Sequence, residues 1–191
     1  KHMESKLDFD VSSKEKELLK NNTADFIAIS YYTTRLIAGT EVASEAIDGN
    51  SAKTLRNQYL KITPWGRQID PLGLKTTLID IYDRYEKPIF IVENGLGVED
   101  TIIDGKIHDD YRINYMQDHI DAMNFAIKEG VEVLGYLSWG IIDLISAGGG
   151  EMNKRYGLVY VDYDNYGKGS GKRVKKDSFY WYKQLIEFSK L

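Results

Sequence analysis

The chain has 191 residues, 42% hydrophobic and 28% charged, with a net charge of −4 and no Cys. That is one globular domain, long enough to bury a sizeable core. The acidic balance argues against nucleic acid as a partner, the missing thiols exclude disulfides and thiolate metal sites, and no apolar run approaches the roughly 18 residues of a membrane span.

Residues 1 to 24 are charged and irregular, without a signal-peptide pattern. His2-Met3 reads equally as an expression remnant or as the end of a native helix. Ser12-Ser13-Lys14-Glu15 offers a helix start into Leu18-Leu19. Asp25-Phe26-Ile27-Ala28-Ile29-Ser30-Tyr31-Tyr32 reads as a buried strand, apolar on both faces until its hydroxyls begin. Residues 35 to 69 have no clear period and are expected to form a long loop region, of the kind that usually carries function. Asp70-Pro71 is an N-cap and first-turn pair, and Leu74, Leu78, Ile81, Tyr82 and Tyr85 then recur on one helix face. Pro88 ends that helix, and Ile89-Phe90-Ile91-Val92 follows as a second strand. Ile113, Met116, Ile120, Met123 and Ile127 mark another amphipathic helix, with Gly130 as its C′ residue. Val131 to Trp139 is the third strand. After Gly148-Gly149-Gly150, the segment Lys154 to Asp162 is expected to form a hairpin returning through Arg173-Val174. A last helix, from about Ser178, carries Tyr182, Leu185 and Ile186 inward. His108 and His119 have no partner spacing for a metal. Asp109-Asp110 reads as a helix-capping pair, and the basic cluster Lys168 to Lys176 as a solvated, Gly-rich hairpin.

The order strand, helix, strand, helix, strand, helix implies a parallel sheet with right-handed crossovers. Three such units make a small open sheet or part of a barrel. A closed eight-stranded barrel typically takes about 250 residues, so the chain is too short for one. In parallel sheets the carboxyl ends of the strands form the crevice that holds catalytic side chains. Glu93-Asn94-Gly95 stands at such an end. Alone, the tripeptide has two readings: a catalytic carboxylate at a strand's mouth, or a strand-end residue before an Asn-Gly hairpin turn.

Taken in order, the motifs resemble the C-terminal part of a family 1 glycoside hydrolase, a (β/α)8 barrel of the β-glucosidase type. Phe26 to Tyr32 resembles its sixth strand, Pro88 to Gly95 its seventh, and Gly135-Tyr136-Leu137-Ser138-Trp139 its eighth. Asp70-Pro71-x-Gly-Leu and Lys154-Arg155-Tyr156-Gly157 are further landmarks at the expected spacing. The resemblance implies an α/β fold of about three βα units, with residues 1–191 as the C-terminal portion of one catalytic barrel, truncated on its N-terminal side. It implies retaining hydrolysis, in which Glu93 attacks the anomeric carbon and forms a covalent glycosyl-enzyme. A second carboxyl about 5 to 5.5 Å away would serve as acid and then base. Tyr32 matches the family's Tyr that holds the nucleophile ionised and aimed, and Trp139 matches its aromatic platform beneath the sugar.

Ordinary β-glucosidases of this family carry Glu-Trp in the loop after the eighth strand, reading the sugar's 4- and 6-hydroxyls. The matching pair here is Ser146-Ala147. A Glu would repel a dianionic phosphate at C6. The hydroxyl of Ser146, the ammonium of Lys154, the phenol of Tyr156 and inward N–H groups of the Gly-rich loop would suit one. Ser-x7-Lys-x-Tyr resembles the 6-phospho-β-glycosidase branch. Ala147, where the branch's galactosidases tend to carry Trp, leans toward 6-phospho-β-glucosides.

The family's general acid/base lies in an Asn-Glu-Pro motif at the fourth strand, and none of Pro64, Pro71 and Pro88 follows Asn-Glu. The first five barrel units are thus expected in a missing N-terminal part of the same enzyme. Without it, the chain is expected to be inactive and to self-associate through unpaired sheet edges. The resemblance implies a cytoplasmic enzyme whose substrate is a β-glucoside phosphorylated during uptake. No cofactor, metal, membrane or nucleic-acid partner is expected. Two other readings stay open: a β-glucosidase for unphosphorylated sugars, and a non-catalytic sugar-phosphate-binding module.

Overall fold

The computed structural model describes residues 10–38, 46–49 and 52–188. In chain order its elements are α1 (Ser13–Asn21), β1 (Ile27–Ser30), β2 (Ala46–Gly49), β3 (Ala52–Leu55), β4 (Lys61–Ile62), β5 (Gln68–Ile69), α2 (Pro71–Tyr85), β6 (Ile89–Asn94), α3 (Asp110–Lys128), β7 (Val133–Ser138), β8 (Val159–Val161), β9 (Arg173–Lys175) and α4 (Asp177–Phe188). The parallel sheet expected from the alternation is present in the order β1-β6-β7. Its three βα units end in α2, α3 and α4. Among the described residues β1 and β7 are its two edges. β8 and β9 form the expected antiparallel hairpin. The segment 35–69 departs from the loop expected for it, because β2–β3 and β4–β5 pair as antiparallel hairpins. Strands of four and two residues are too short to display a period.

Local chemistry sets the helix starts. α1 opens on a capping box, with Ser12 Oγ accepting from the Glu15 N–H at 3.3 Å and Glu15 Oε2 accepting from the Ser12 N–H at 2.8 Å. At α2, Asp70 Oδ1 accepts from the Gly73 N–H at 2.9 Å, and Tyr31 Oη donates to the Asp70 carbonyl at 2.6 Å. That contact explains the glycine of the Asp-Pro-x-Gly landmark: a Cβ on Gly73 would stand 2.4 Å from Tyr31 Oη. Leu74 and Leu78 are fully buried, whereas Tyr85, expected on the same face, is 52% exposed in the last turn. The buried stripe of α3 runs Arg112, Tyr115-Met116, His119-Ile120, Ala122, Ala126, so two polar residues lie inside it and Ile127 falls on the rim. On α4, Tyr182 packs inward and Ile186 is exposed.

The main core joins the sheet to α2 and α3 through Tyr31, Leu74, Leu78, Ile89, Ile91, Ala126 and Val131. A second cluster, Leu96, Tyr115, Met116 and Leu158, packs against Phe179, Trp181 and Tyr182 of α4. Each fully buried Leu or Ile contributes about 1.5–3 kcal/mol.

One irregularity positions the site. Ile29 and Ser30 of β1 pair with Ile91 and Glu93, while Tyr136 and Ser138 of β7 pair with Ile91 and Asn94. β6 therefore carries one residue more than either neighbour between Ile91 and Asn94. Strict alternation would put Glu93 on the face of Ile89 and Ile91, which are packed into the core. The bulge gives that place to Asn94, 0% exposed, and turns Glu93 to the other side. Asn94 also accepts from the Trp139 N–H at 2.8 Å at the end of a parallel strand, which overturns the hairpin reading of Asn94-Gly95.

Candidate active site

Asn94 pins the strand end. Its side-chain Nδ2 donates to Tyr31 O at 2.8 Å and to Tyr115 Oη at 3.1 Å, and its Oδ1 accepts from Tyr136 Oη at 2.6 Å. These bonds offset the cost of burying the amide and tie β6 to β7, α3 and the segment after β1. Glu93, half-buried beside it, accepts a 3.0 Å hydrogen bond from Tyr32 Oη through Oε2. Its carbonyl accepts from the Tyr31 N–H at 2.9 Å. Burial, then the bond to Glu93, pushes the Tyr32 phenol well above its ordinary range, so it remains a donor at working pH. A carboxylate held this way is aimed for attack on an electrophilic carbon or for proton transfer. Trp139 follows β7 directly, with its backbone bonded to Asn94.

A cationic, aromatic wall adjoins this carboxylate through Tyr32. The rings of Tyr32 and Tyr156 meet edge-on, centroids 6.4 Å apart. Lys154 Nζ lies 5.9 Å from the Tyr156 ring centroid and 5.4 Å from that of Trp65. Arg67 Cζ sits 4.5 Å over the Tyr32 ring and 5.9 Å from that of Tyr156. Burial, with Arg67 as the next cause, pushes the Lys154 ammonium down to about 8, against the pull of Glu151. Tyr156 is also raised by burial.

Ser146 is buried, but it joins this wall indirectly. Its N–H donates to Glu151 O at 2.9 Å, and Glu151 Oε2 accepts from Trp65 Nε1 at 2.7 Å. The inward N–H groups expected of the Gly-rich loop are not available from Gly149 and Gly150. Both donate to the Ser146 carbonyl in a tight turn. Sequence reasoning missed Arg67, Trp65 and Glu151. Their only signal was an aromatic and a cation flanking Gly66 in a stretch already expected to carry function.

Behind the wall runs a chain of buried ion pairs. Asp109 pairs with Arg112 at 2.9 Å, Arg112 with Asp100 at 2.8 Å, Asp100 with Lys176 at 2.5 Å, Lys176 with Asp143 at 2.9 Å, and Asp143 with Arg155 at 3.2 Å. Two expectations fall here. Asp109 makes no side-chain cap to α3; it accepts instead from Arg112 and from the Ser178 N–H and hydroxyl, because the start of α4 packs against it. Lys176 is not a solvated hairpin residue but is fully buried between Asp100 and Asp143. Arg155 reaches back into this chain and also donates to Val161 O at 2.9 Å, while Lys154 and Tyr156 on either side of it face the wall. Gly157 completes the anchor. Its N–H donates to Asp143 Oδ1 at 2.9 Å, and a Cβ there would stand 2.3 Å from the Asp143 nitrogen.

His108 Nδ1 pairs with Asp177 at 2.6 Å, and His119 Nδ1 meets Tyr115 O at 2.7 Å. Among the described residues no group of His, Asp or Glu is arranged to hold a metal, and no helix is long and apolar enough to cross a membrane.

The sequence model of glycosyl hydrolase family 1 matches residues 1–191. The chain is 50% identical over 184 residues to the aryl-phospho-β-D-glucosidase BglH of Bacillus subtilis (strain 168), covering 96% of this chain and 39% of that protein. It is 50% identical over 173 residues to the 6-phospho-β-glucosidase AscB of Escherichia coli (strain K12), covering 90% and 36%. The 6-phospho-β-galactosidase of Streptococcus equi subsp. zooepidemicus (strain H70) is 35% identical, covering 92% and 40%. Among solved structures, a family 1 β-glucosidase from Thermotoga maritima superposes with a TM-score of 0.72 at 29% identity, covering 93% of this chain and 38% of that one. The chain spans well under half the length of these relatives, as three units of an eight-unit barrel should. Matched along its whole length and half identical to two of these relatives, this chain belongs to glycosyl hydrolase family 1.

Proposed function

We propose that residues 1–191 are the C-terminal portion of a retaining 6-phospho-β-glucosidase, with Glu93 as its nucleophile. The observation that carries this reading is the Glu93–Tyr32 pair, bonded at 3.0 Å, adjoining a wall that holds buried Lys154 5.9 Å from the Tyr156 ring. With Oε2 engaged by Tyr32, Oε1 attacks the anomeric carbon. The bond from that carbon to the leaving oxygen breaks as the glycosyl ester forms. A general acid from the preceding portion of the same enzyme protonates the leaving group, then acts as base on the water that cleaves the ester. Trp139 supplies the platform beneath the sugar. Ser146, Lys154 and Tyr156 take its 6-phosphate, where a charge-assisted bond outweighs a neutral one.

Two considerations support the substrate class. The relatives at 50% identity are phospho-glucosidases by name, against 35% for the phospho-galactosidase, and the loop position after Ser146 is the small Ala147. A dianionic sugar phosphate does not cross a bilayer unaided, so the reading places the enzyme in the cytoplasm.

The test is a paired hydrolysis assay on the full-length enzyme, using 4-nitrophenyl β-glucoside with and without a 6-phosphate. Strong preference for the phosphorylated substrate, lost in Ser146→Ala or Lys154→Gln, supports the reading. Preference for the unphosphorylated sugar leaves an ordinary β-glucosidase. Failure of a 2-fluoro glycoside to label Glu93 covalently leaves a binding module.

A further inference from the structure

Arg67 is the charged group of the wall that the family resemblance did not assign. It lies at the base of the β4–β5 hairpin, and its backbone is clamped. The Thr63 N–H donates to Arg67 O at 2.8 Å, and the Arg67 N–H donates to Thr63 Oγ1 at 3.1 Å. The next residue is fastened to the segment carrying Tyr32, with Thr33 Oγ1 donating to Gln68 O at 2.9 Å and accepting from the Gln68 N–H at 3.1 Å. The guanidinium is therefore delivered by a fixed hairpin to the face of Tyr32, 4.5 Å from its centroid.

Among the described residues its contacts are with the Tyr32 and Tyr156 rings and with no carboxylate. Arg67 Nη1 is buried and has no hydrogen-bond partner among the described residues. Leaving a buried donor unmade costs free energy that a cation–π contact only partly offsets. Arg67 also stands close enough to Lys154 to disfavour its charge. Glu151, the acid that pulls on Lys154, has one oxygen engaged by Trp65 Nε1 at 2.7 Å. Two cations converging on the Tyr156 ring, each 5.9 Å from its centroid, match an anion of more than one charge.

We propose that Arg67 is a second cation of the phosphate site, whose planar guanidinium works with Lys154 to hold the 6-phosphate dianion of the substrate. The inference rests on the 6-phospho-β-glucosidase reading and deepens it: selectivity for the phosphate comes from a pair of charges, one from the loop after β7 and one from the β4–β5 hairpin. Arg suits the role because its fork presents two parallel N–H groups to phosphate oxygens.

The experiment compares the full-length enzyme with its Arg67→Gln, Arg67→Lys and Lys154→Gln variants. Each is assayed on 4-nitrophenyl β-glucoside and its 6-phosphate, with inorganic phosphate as a competing inhibitor. Arg67→Gln is expected to raise KM for the phosphorylated substrate roughly ten- to hundredfold and to weaken inhibition by phosphate. Its kcat/KM on the unphosphorylated substrate should fall clearly less than on the phosphorylated one. Arg67→Lys, which keeps the charge but not the fork, should recover part of the loss. An equal loss on both substrates, or no loss on either, overturns the role of Arg67. If the parent enzyme still prefers the phosphate and Lys154→Gln abolishes that preference, the functional reading survives this failure. A parent enzyme without preference for the phosphate removes both.

Discussion

Tyr32 Oη and Glu93 Oε2 lie 3.0 Å apart, and the bond joins the segment leaving β1 to the end of the central strand β6. Neither residue reaches this position by strand alternation alone. Glu93 is turned out by the extra residue in β6, and Tyr32 is held by neighbours that clamp Thr33 to Gln68. On the proposed reading, this bond makes Tyr32 a positioning group for the carboxylate. In the full-length enzyme, Tyr32→Phe is expected to lower kcat on the phosphorylated substrate roughly 10- to 100-fold while leaving KM within about threefold. Steady-state kinetics check this, and an unchanged kcat would remove Tyr32 from the alignment of Glu93.

A pH profile tests Lys154 separately. Its ammonium is pushed from the ordinary 10.5 to about 8, chiefly by burial. Below about 8 it is charged, as the proposed phosphate contact requires; above, the charge is lost. Because kcat/KM reports groups of the free enzyme, its value for the phosphorylated substrate should fall as pH rises through 8, while Lys154→Met should flatten that limb. The unphosphorylated substrate should lack it. For stability the sign is the reverse. Between about 8 and 10.5 the unfolded chain binds the proton more tightly than the folded one, so this residue's contribution to stability rises with pH across that window.

Much of the candidate site was legible because its proposed parts are contiguous motifs at strand ends. Glu93 follows four apolar residues, Tyr32 closes the first strand, and Lys154 and Tyr156 share one tetrapeptide. The aim of Glu93 was not legible, since a bulge is a relation between strands and leaves no mark in the sequence of one of them. Arg67 was hidden by strands of two residues, too short for periodicity. Lys176 and Asp109 were misread because a charge in a polar stretch is normally solvated. They are buried only because segments far apart in sequence bring alternating charges together.

That chain of ion pairs makes its own prediction. Removing one partner of a buried pair leaves an uncompensated charge and costs about 3–5 kcal/mol. Lys176→Met strips the cation shared by Asp100 and Asp143, and should destabilise the full-length enzyme by about that amount in urea unfolding. Since Asp143 also holds Arg155 and the Gly157 N–H, the variant should lose turnover on the phosphorylated substrate as well. Adding Asp100→Asn should restore part of the stability by removing the excess negative charge that loss of Lys176 leaves in the chain. A loss below about 1 kcal/mol would mean these pairs behave like exposed ones.

On the proposed reading, the isolated 191-residue chain should behave differently from the full-length enzyme. Its sheet ends at β1 and β7 among the described residues, and β7 leaves Leu134 and Leu137 52% and 48% exposed. Unpaired N–H and C=O groups flanked by apolar side chains are a template for another strand. In size-exclusion chromatography with light scattering, the chain is therefore expected to run heavier than its 21.9 kDa. It should also hydrolyse neither glucoside, because the proposed reading puts the general acid in a preceding portion, and such an acid is worth about 10²–10⁴-fold. Supplying the preceding barrel units on a second polypeptide should pair both edges, and activity and a defined stoichiometry should return together. A stable monomer at high concentration would show that β1 and β7 are protected without those units, and turnover by that monomer would require an acid within the chain itself.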